Sequence, residues 1–313
     1  MINLIMFGAL AVLVLLRAPV AFRRPAARPA WFATVLGVLA LLAIGVVIPI
    51  PVADSWLGGT NILHLLRTAL PVASFWFLRD AVALQSGRKT SRGGPAVLVL
   101  MLAAQALIFF QIPDRGSSNI FFVDDHMIYV QGFVWAVVYV GEIVWIALTM
   151  VVMLLPRWKG IYAAFIAGGL ATVAGGVALV AHCGLILAGA QAPRVGGIPW
   201  TLFNVLFYPG ILVIALGFVT ITVRDFHRVA SWKLASYRLT RALAGYKDQR
   251  ATQVAAADLP RPANPILAAY RAAIQLRDLE SLGGVSLTPR DTRLLTTVER
   301  RMTAAHLSMA RPQ

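Results

Sequence analysis

Long apolar stretches, separated by short polar segments, dominate the first 223 residues of the chain. A transmembrane helix needs about 20 mainly apolar residues to cross a hydrocarbon core of roughly 30 Å. The stretch 2–16 is short, but Arg17 can direct its charge to the membrane surface and so extend the span. The pattern predicts an all-α bundle of seven membrane spans, at residues 2–16, 31–52, 61–78, 96–112, 127–155, 161–189 and 200–223.

Cationic residues alternate between the two sides of these predicted spans. The first, third and fifth connecting segments carry Arg17, Arg23, Arg24, Arg28, Arg79, Arg88, Lys89, Arg92, Arg157 and Lys159. The other connecting segments carry Arg115 and Arg194. Because short cytoplasmic loops are enriched in Lys and Arg, this asymmetry predicts an outside N-terminus and a cytoplasmic C-terminus.

The composition excludes an ordinary soluble globular protein, since 59% of the residues are hydrophobic and 13% are charged. The formal net charge of +15 is explained by topology, so we expect no nucleic-acid partner. A single cysteine, Cys183, excludes an intramolecular disulfide and a cysteine-based metal cluster. Nucleotide-binding and metallohydrolase motifs are also absent from the sequence. We therefore expect no enzymatic activity, no cofactor and no metal site.

The composition changes from apolar to mixed near Arg224, which predicts a transmembrane domain at 1–223 and a cytoplasmic helical domain at 224–313. Residues 224–246 have the pattern of a basic amphipathic helix. Its apolar stripe is Trp232, Ala235, Leu239, Leu243 and Tyr246, and its basic face is Arg228, Lys233, Arg238 and Arg241. Such a helix lies on anionic lipid headgroups, packs on the rest of the tail, or continues the seventh span into solvent.

A proline-containing linker at 248–261 precedes two further predicted helices, at 264–282 and 288–309. Asn264–Pro265 is a start signal for the first helix, and Gly283–Gly284 is its stop signal. Leu267, Tyr270, Ile274 and the stem of Arg277 share one face of that helix. The second helix begins with Thr288-Pro289-Arg290-Asp291, a variant capping box, and its apolar stripe is Leu294, Leu295, Val298, Met302 and Ala305.

The stretch Tyr270-Arg271-x-x-Ile274-Gln275-Leu276-Arg277-Asp278 resembles the C-terminal domain of an uncharacterised actinobacterial family of multi-span membrane proteins. Members of that family are commonly labelled as transporters. The resemblance implies the architecture described above and a multi-pass location in a bacterial plasma membrane. We expect the tail to contact anionic lipid or a cytoplasmic protein partner through Arg228, Lys233, Arg238, Arg241, Tyr270, Arg271, Arg277 and Asp278.

Polar residues within the predicted spans are candidates for function, because ionisable groups inside a membrane are costly. Asn61, His64 and Arg67 follow at a spacing of three and share one helical face. With Asp124, Asp125, His126, His182 and Asn204 they fall in one outer layer. The functional hypothesis is an outward-facing pocket for a small ligand, with Arg67 favouring an anion. The alternative is that Arg67 pairs with Asp124 or Asp125 and merely ties the third span to the fourth loop.

Glu142 is an acid at the middle of the fifth predicted span, and Gln105 lies at a similar depth in the fourth. The pair predicts either a protonatable site for proton-coupled transport or a hydrogen bond that ties two helices together. In the sixth span Ala164, Gly168, Thr172 and Gly176 recur every four residues and allow close helix approach. Pro209 and Gly210 predict a kink in the seventh span.

Two function classes fit this layout. The first is a non-enzymatic sensor or membrane-anchored interaction protein that couples the outer polar pocket to the cytoplasmic helical domain. The alternative is a small-solute or proton-coupled transporter. Transporters built from repeats have matching halves with paired broken helices, and the sequence contains no such internal repeat. This difference favours the sensor or interaction protein.

Overall fold

A computed structural model describes residues 2–88, 94–116, 122–189, 197–249, 265–281 and 286–309. These residues form helices and connecting turns without a β-strand among them, which confirms the all-α class. Four helices in the described ranges are long and apolar enough to cross a membrane: Pro25–Ala43, Val130–Arg157, Ile161–Leu187 and Gly197–Tyr246. A shorter apolar helix covers Gly94–Phe110. These helices fit a membrane protein, while seven spans and their orientation stay predictions.

The α-helices of the described residues are numbered along the chain. They are α1 (Ile2–Arg23), α2 (Arg28–Ala43), α3 (Ile50–Ser55), α4 (Ile62–Gln85), α5 (Gly94–Phe110), α6 (Phe122–His126), α7 (Val130–Leu154), α8 (Ile161–Leu187), α9 (Gly197–Gln249), α10 (Pro265–Ser281) and α11 (Pro289–Met309). Several residues used in the sequence argument lie outside the described ranges, namely Lys89, Arg92, Arg194, most of the linker 248–261, Asn264, Gly283 and Gly284.

The chain divides into two compact units, Met1–Gly217 and Phe218–Gln313, and the division falls within α9. In the first unit α2 packs along α4, and α7 packs along α8. Side-chain hydrogen bonds also join neighbouring helices: Ser74 Oγ of α4 donates to the Ala33 carbonyl of α2 over 2.8 Å, and Trp31 Nε1 of α2 donates to the Val14 carbonyl of α1 over 3.0 Å. The first unit is thus a helical bundle whose neighbouring helices are joined by both apolar packing and hydrogen bonds.

The predicted third span is longer than expected, because α4 continues from Ile62 to Gln85. Arg79, which the charge pattern placed in a cytoplasmic loop, therefore lies inside a helix and is buried. Its guanidinium pairs with Asp80 over 2.7 Å and lies 3.7 Å from the centre of the Trp76 ring. The adjacent acid and the aromatic face compensate the buried charge, which explains why the helix does not end at residue 78.

Glycines on α8 allow it to lie close to two neighbours. A Cβ at Gly168 or Gly175 would come within 2.8 Å of backbone atoms of α9, at Gly210 O and Phe207 N respectively. A Cβ at Gly169 or Gly176 would instead meet valine side chains of α7. The close approach that the small-residue spacing predicts is present. Pro209 does not interrupt α9, and Gly210 beside it packs on α8.

The second unit has its own core, built from α9, α10 and α11. The stripe of α9 from Trp232 to Tyr246 is buried in this core, together with Leu287, Leu295 and Val298. Of the three interpretations of residues 224–246, packing on the rest of the tail is observed. The same residues also continue the helix of the predicted seventh span, since α9 runs from Gly197 to Gln249.

At the start of α11 the Asp291 N–H donates to Thr288 Oγ1 over 3.3 Å, which is the first bond of the predicted capping box. The second bond differs, because the Thr288 N–H donates to the Tyr246 hydroxyl and the Thr288 hydroxyl donates to Asp291 Oδ2.

The face that α10 buries differs from the predicted face. Its core residues are Ala269, Ala272, Ala273 and Leu276. Leu267, Tyr270 and Ile274, the predicted stripe, are instead exposed by 41–48%. Three alanines allow α10 to pack closely on its neighbours, so the small residues lie inside and the bulkier stripe faces outward.

Candidate functional site

The turn before α4 uses two polar residues to begin the helix. Asp54 is 2% exposed, and its carboxylate accepts the N–H groups of Asn61 and Leu63 over 3.3 and 3.2 Å. Asn61 adopts a left-handed conformation and donates its side-chain amide to the Arg115 carbonyl over 2.6 Å. Asn61, a predicted ligand-binding residue, thus has a structural role here. Sequence reasoning missed Asp54, although a lone acid shortly before an apolar helix is a cap signal.

His64, one turn into α4, enters an aromatic cluster with residues of α6 and α7. Its ring centre lies 4.6 Å from that of Phe122 and 5.4 Å from that of Trp135. The His126 ring stacks on Phe122, with ring centres 4.2 Å apart. Both ring nitrogens of His64 and the indole Nε1 of Trp135 are buried without a hydrogen-bond partner, whereas His126 contacts the Phe122 and Asp114 carbonyl oxygens.

Arg67 lies one turn further along α4 and is half-buried. The tyrosines Tyr139 on α7 and Tyr208 on α9 lie near Arg67, and these three residues are called the Arg67 group below. No acid among the described side chains lies within ion-pair distance of Arg67, so the predicted tie to Asp125 is not formed. Asp125 is exposed at the end of α6, and the side chain of Asp124 lies outside the described part of the structure.

His182 and Asn204 occupy a different place in the first unit. The ring of His182 lies 5.3 Å from that of Trp200, and Asn204 donates its amide to the Trp200 carbonyl over 2.8 Å. His182 and Asn204 are thus both in contact with Trp200, at the start of α9. Asn204 lies one turn before Tyr208 on the same helix.

Gln105 and Glu142 are brought together in the interior of the first unit. Gln105, which is fully buried on α5, donates its side-chain amide to the Glu142 carboxylate on α7. Glu142 is 9% exposed, and the amide oxygen of Gln105 has no partner. The pair therefore joins α5 to α7 through one side-chain hydrogen bond.

One face of α7 carries several of these polar contacts in succession. Trp135, Tyr139 and Glu142 are spaced by four and three residues, so they lie on one side of the helix, about 6 and 4.5 Å apart along its axis. Trp135 and Tyr139 are in ring contact, with centres 5.2 Å apart. One interior face of α7 therefore carries three neighbouring features along its axis: the His64 cluster, the Arg67 group and the Gln105–Glu142 pair.

In the second unit the predicted contact residues divide into two sets. Arg228, Lys233, Arg238 and Arg241 are exposed on α9, as are Tyr270, Arg271 and Asp278 on α10. Arg277 instead joins α10 to α11, because its Nε and Nη2 donate to the two oxygens of Glu299, each over 2.9 Å. Its Nη1 donates to Glu280 over 2.8 Å. These hydrogen bonds, first to Glu299 and then to Glu280, raise the pKa of Arg277 above its ordinary value.

No known protein family matches the chain, and neither the curated proteins nor the solved structures include a significant match. Metal ligation has no candidate either, because no group of three His, Cys, Asp or Glu residues converges among the described side chains. The functional argument therefore depends on the Arg67 group and its connection to α9.

Proposed function

We propose that the chain is a multi-pass sensor of a bacterial plasma membrane, with seven spans, an outside N-terminus and a cytoplasmic tail. The long apolar helices and the alternation of cationic loops support this topology. In the proposal, a small ligand that binds near Arg67 changes the state of the tail. The tail then acts on a cytoplasmic protein partner, without chemistry of its own.

A single observation carries the sensor proposal: α9 contributes to both the Arg67 group and the core of the second unit. Tyr208 of α9 lies near Arg67 of α4. The same helix supplies Trp232, Leu239 and Leu243 to the core of the tail. A ligand that changes the Arg67–Tyr208 interaction would thus act directly on the helix around which the tail folds. Such a ligand shifts a population only if it binds the two states with different affinity.

The exposed faces of the second unit support the partner role. Leu267, Tyr270 and Ile274 form an apolar stripe on α10, and Arg271 and Asp278 flank it. Apolar residues with a charged border are typical of surfaces that bind another protein. The exposed cations Arg228, Lys233, Arg238 and Arg241 suit anionic lipid headgroups.

Hydrogen exchange on the full chain in lipid nanodiscs tests whether a change at Arg67 or Tyr208 reaches the tail through α9. This coupling is called the relay below. We expect Tyr208→Phe and Arg67→Gln to change the exchange of α10 and α11, although both positions belong to the first unit. Tyr162→Phe on α8 is the matched control and should leave the tail unchanged. If both test variants change exchange within α4 and α7 and leave α10 and α11 as in the parent, the relay does not exist.

Transport by a small-solute or proton-coupled mechanism is the second candidate, and the buried Glu142–Gln105 pair is the observation that favours it. A protonatable acid inside a membrane is a requirement of proton coupling. Reconstitution in liposomes with a pH-sensitive dye separates the two classes. Proton-dependent flux that Glu142→Gln abolishes would favour the transporter, and absence of flux in the parent protein would favour the sensor.

A further inference from the structure

The residues around Arg67 offer hydrogen-bond donors that the protein does not use. His64 is 5% exposed with both ring nitrogens unpartnered, and Trp135 is fully buried with a free Nε1–H. An indole N–H can donate but cannot accept. Buried polar groups are normally satisfied, so an unpartnered pair of this kind indicates a bound polar group.

Arg67 adds a cation to the same donors. Its guanidinium has five N–H donors in a planar fork and no acceptor. No described acid neutralises it, and the groups near it from α7 and α9 are tyrosine hydroxyls, which can also donate. A charge in a membrane span is costly when it lacks a counter-ion. These donors therefore suit a negatively charged acceptor.

The donors are contiguous in space. His64 and Arg67 lie one turn apart on α4, and Trp135 and Tyr139 lie one turn apart on α7. The Trp135 ring contacts both His64 and Tyr139, at 5.4 and 5.2 Å between ring centres. The helices thus bring the imidazole, indole and phenol rings into contact, with Arg67 one turn from His64.

We propose that Arg67, Trp135, Tyr139 and Tyr208 bind a small organic monocarboxylate, with His64 as a further donor. One negative charge matches the one guanidinium, and a carboxylate fits its planar fork through two parallel hydrogen bonds. The aromatic surfaces of Trp135 and Tyr139 suit an apolar body attached to the carboxylate. A metal cation is disfavoured by Arg67, and a neutral ligand would leave the charge uncompensated. The inference rests on the proposed sensor function for its role, but its binding step is tested separately.

Benzoate and its neutral isostere benzamide are the probes, and the sample is the full chain in nanodiscs of zwitterionic lipid. We expect benzoate to bind saturably and to raise the thermal midpoint, and benzamide to bind at least about tenfold more weakly. Decanoate, which partitions into the bilayer, distinguishes a membrane-borne carboxylate from an aqueous one. Binding of benzoate in preference to benzamide, or decanoate binding that Arg67→Gln abolishes, supports the site, whereas the absence of both results overturns it.

Single substitutions test which residues bind benzoate. Arg67→Gln should abolish benzoate binding, Arg67→Lys should weaken it by removing the fork, and Tyr139→Phe and Trp135→Phe should each weaken it several-fold. Trp145→Phe is the matched control, because Trp145 lies on the same helix but stacks on Trp76. If Arg67→Gln does not fold, Arg67→Lys and Tyr139→Phe decide the question. Benzoate affinity that none of the folded site variants changes would overturn the assignment.

The outcomes separate this inference from the sensor proposal. Benzoate binding that depends on Arg67, without any change in the exchange of α10 and α11, would keep the carboxylate site and reject the relay. A tail that responds to Tyr208→Phe in a protein that binds neither benzoate nor decanoate would keep the relay and reject the carboxylate.

Discussion

Gln105 donates its side-chain amide to the carboxylate of Glu142 and thereby joins α5 to α7 in the interior of the first unit. Without its partner, each side chain would lack this hydrogen bond in the buried interior. The amide and the carboxylate come from helices separated by a connecting segment, so the bond fixes the relative positions of α5 and α7. Such a tie is specific, because apolar contacts alone allow neighbouring helices to slide.

Removal of the amide should destabilise the protein more than removal of the charge. Gln105→Leu leaves Glu142 buried without its donor and should lower the free energy of unfolding by about 1–3 kcal/mol. Glu142→Gln keeps an acceptor oxygen opposite the Gln105 amide and should change stability by less than about 1 kcal/mol. Thermal unfolding in detergent measures both, with the exposed Gln111→Leu as control. A larger loss for Glu142→Gln than for Gln105→Leu would contradict the tie.

Asp54 should be required for the start of α4. Asp54→Asn retains one acceptor oxygen and loses the charge, so we expect a loss of about 1 kcal/mol, and up to about 2 kcal/mol for Asp54→Ala. Ser55→Ala is the matched control, since the exposed Ser55 hydroxyl bonds within its own turn, to the Val52 carbonyl. Hydrogen exchange of the first turn of α4 should rise in the Asp54 variants. Unchanged exchange there would show that the cap is dispensable.

Spacing along the chain predicts which residues share a helix face, but not which neighbour that face meets. The cap of α11 by the Thr288 hydroxyl was predictable because a cap is local. The orientation of α10 was not, because a face of alanines packs as well as a face of leucines and tyrosines when helices approach closely. In the first unit the difficulty is greater, since a surface that faces lipid is as apolar as the interior.

The candidate site shows the same limit of prediction from the sequence. Arg67 and His64 were found from their cost inside an apolar stretch, which requires no partner to be known. Trp135, Tyr139 and Tyr208 were missed because aromatic residues are common in spans and their donors are unremarkable in sequence. Their importance depends on contact with α4, which is a tertiary property. An ionisable residue in an apolar stretch can thus be recognised from the sequence alone. The hydrogen-bond donors around it can be recognised only once the fold is known.

The close contact between α8 and α9 should tolerate glycine and reject alanine. A Cβ at Gly175 would lie 2.5 Å from the backbone nitrogen of Phe207, so Gly175→Ala should destabilise the protein by about 1–3 kcal/mol. At Gly184, on the same helix, the nearest atom to an added Cβ is 4.0 Å away, at Phe133 Cε2. Gly184→Ala should therefore be neutral or stabilise by up to about 1 kcal/mol. Equal thermal midpoints for the two variants would rule out the close contact.

Tyr246 should stabilise the tail through its hydroxyl. The Tyr246 hydroxyl donates to Asp291 Oδ2 over 2.8 Å and accepts the Thr288 N–H over 2.9 Å, so it connects α9 to the start of α11. Tyr246→Phe keeps the buried ring and removes both bonds, for an expected loss of about 1–2 kcal/mol. Faster hydrogen exchange at the first turn of α11 is the measurement. Tyr237→Phe, at an exposed ring on the same helix, should have no effect.

The ion pairs of Arg277 should respond to salt and not to mild alkali. Because its pKa is raised in the folded state, the stability it contributes is complete below the ordinary arginine pKa and is lost only as pH rises through the still higher folded value. Arg277→Gln should therefore lower the stability of the tail by about 0.5 kcal/mol, as expected for an exposed pair. The difference from the parent protein should stay constant between about pH 7 and 9, far below the arginine range, and shrink towards about 1 M salt. Arg271→Gln, an exposed cation on the same helix, is the control. A difference that vanishes at pH 9 in low salt would show that a group other than Arg277 titrates in this contact.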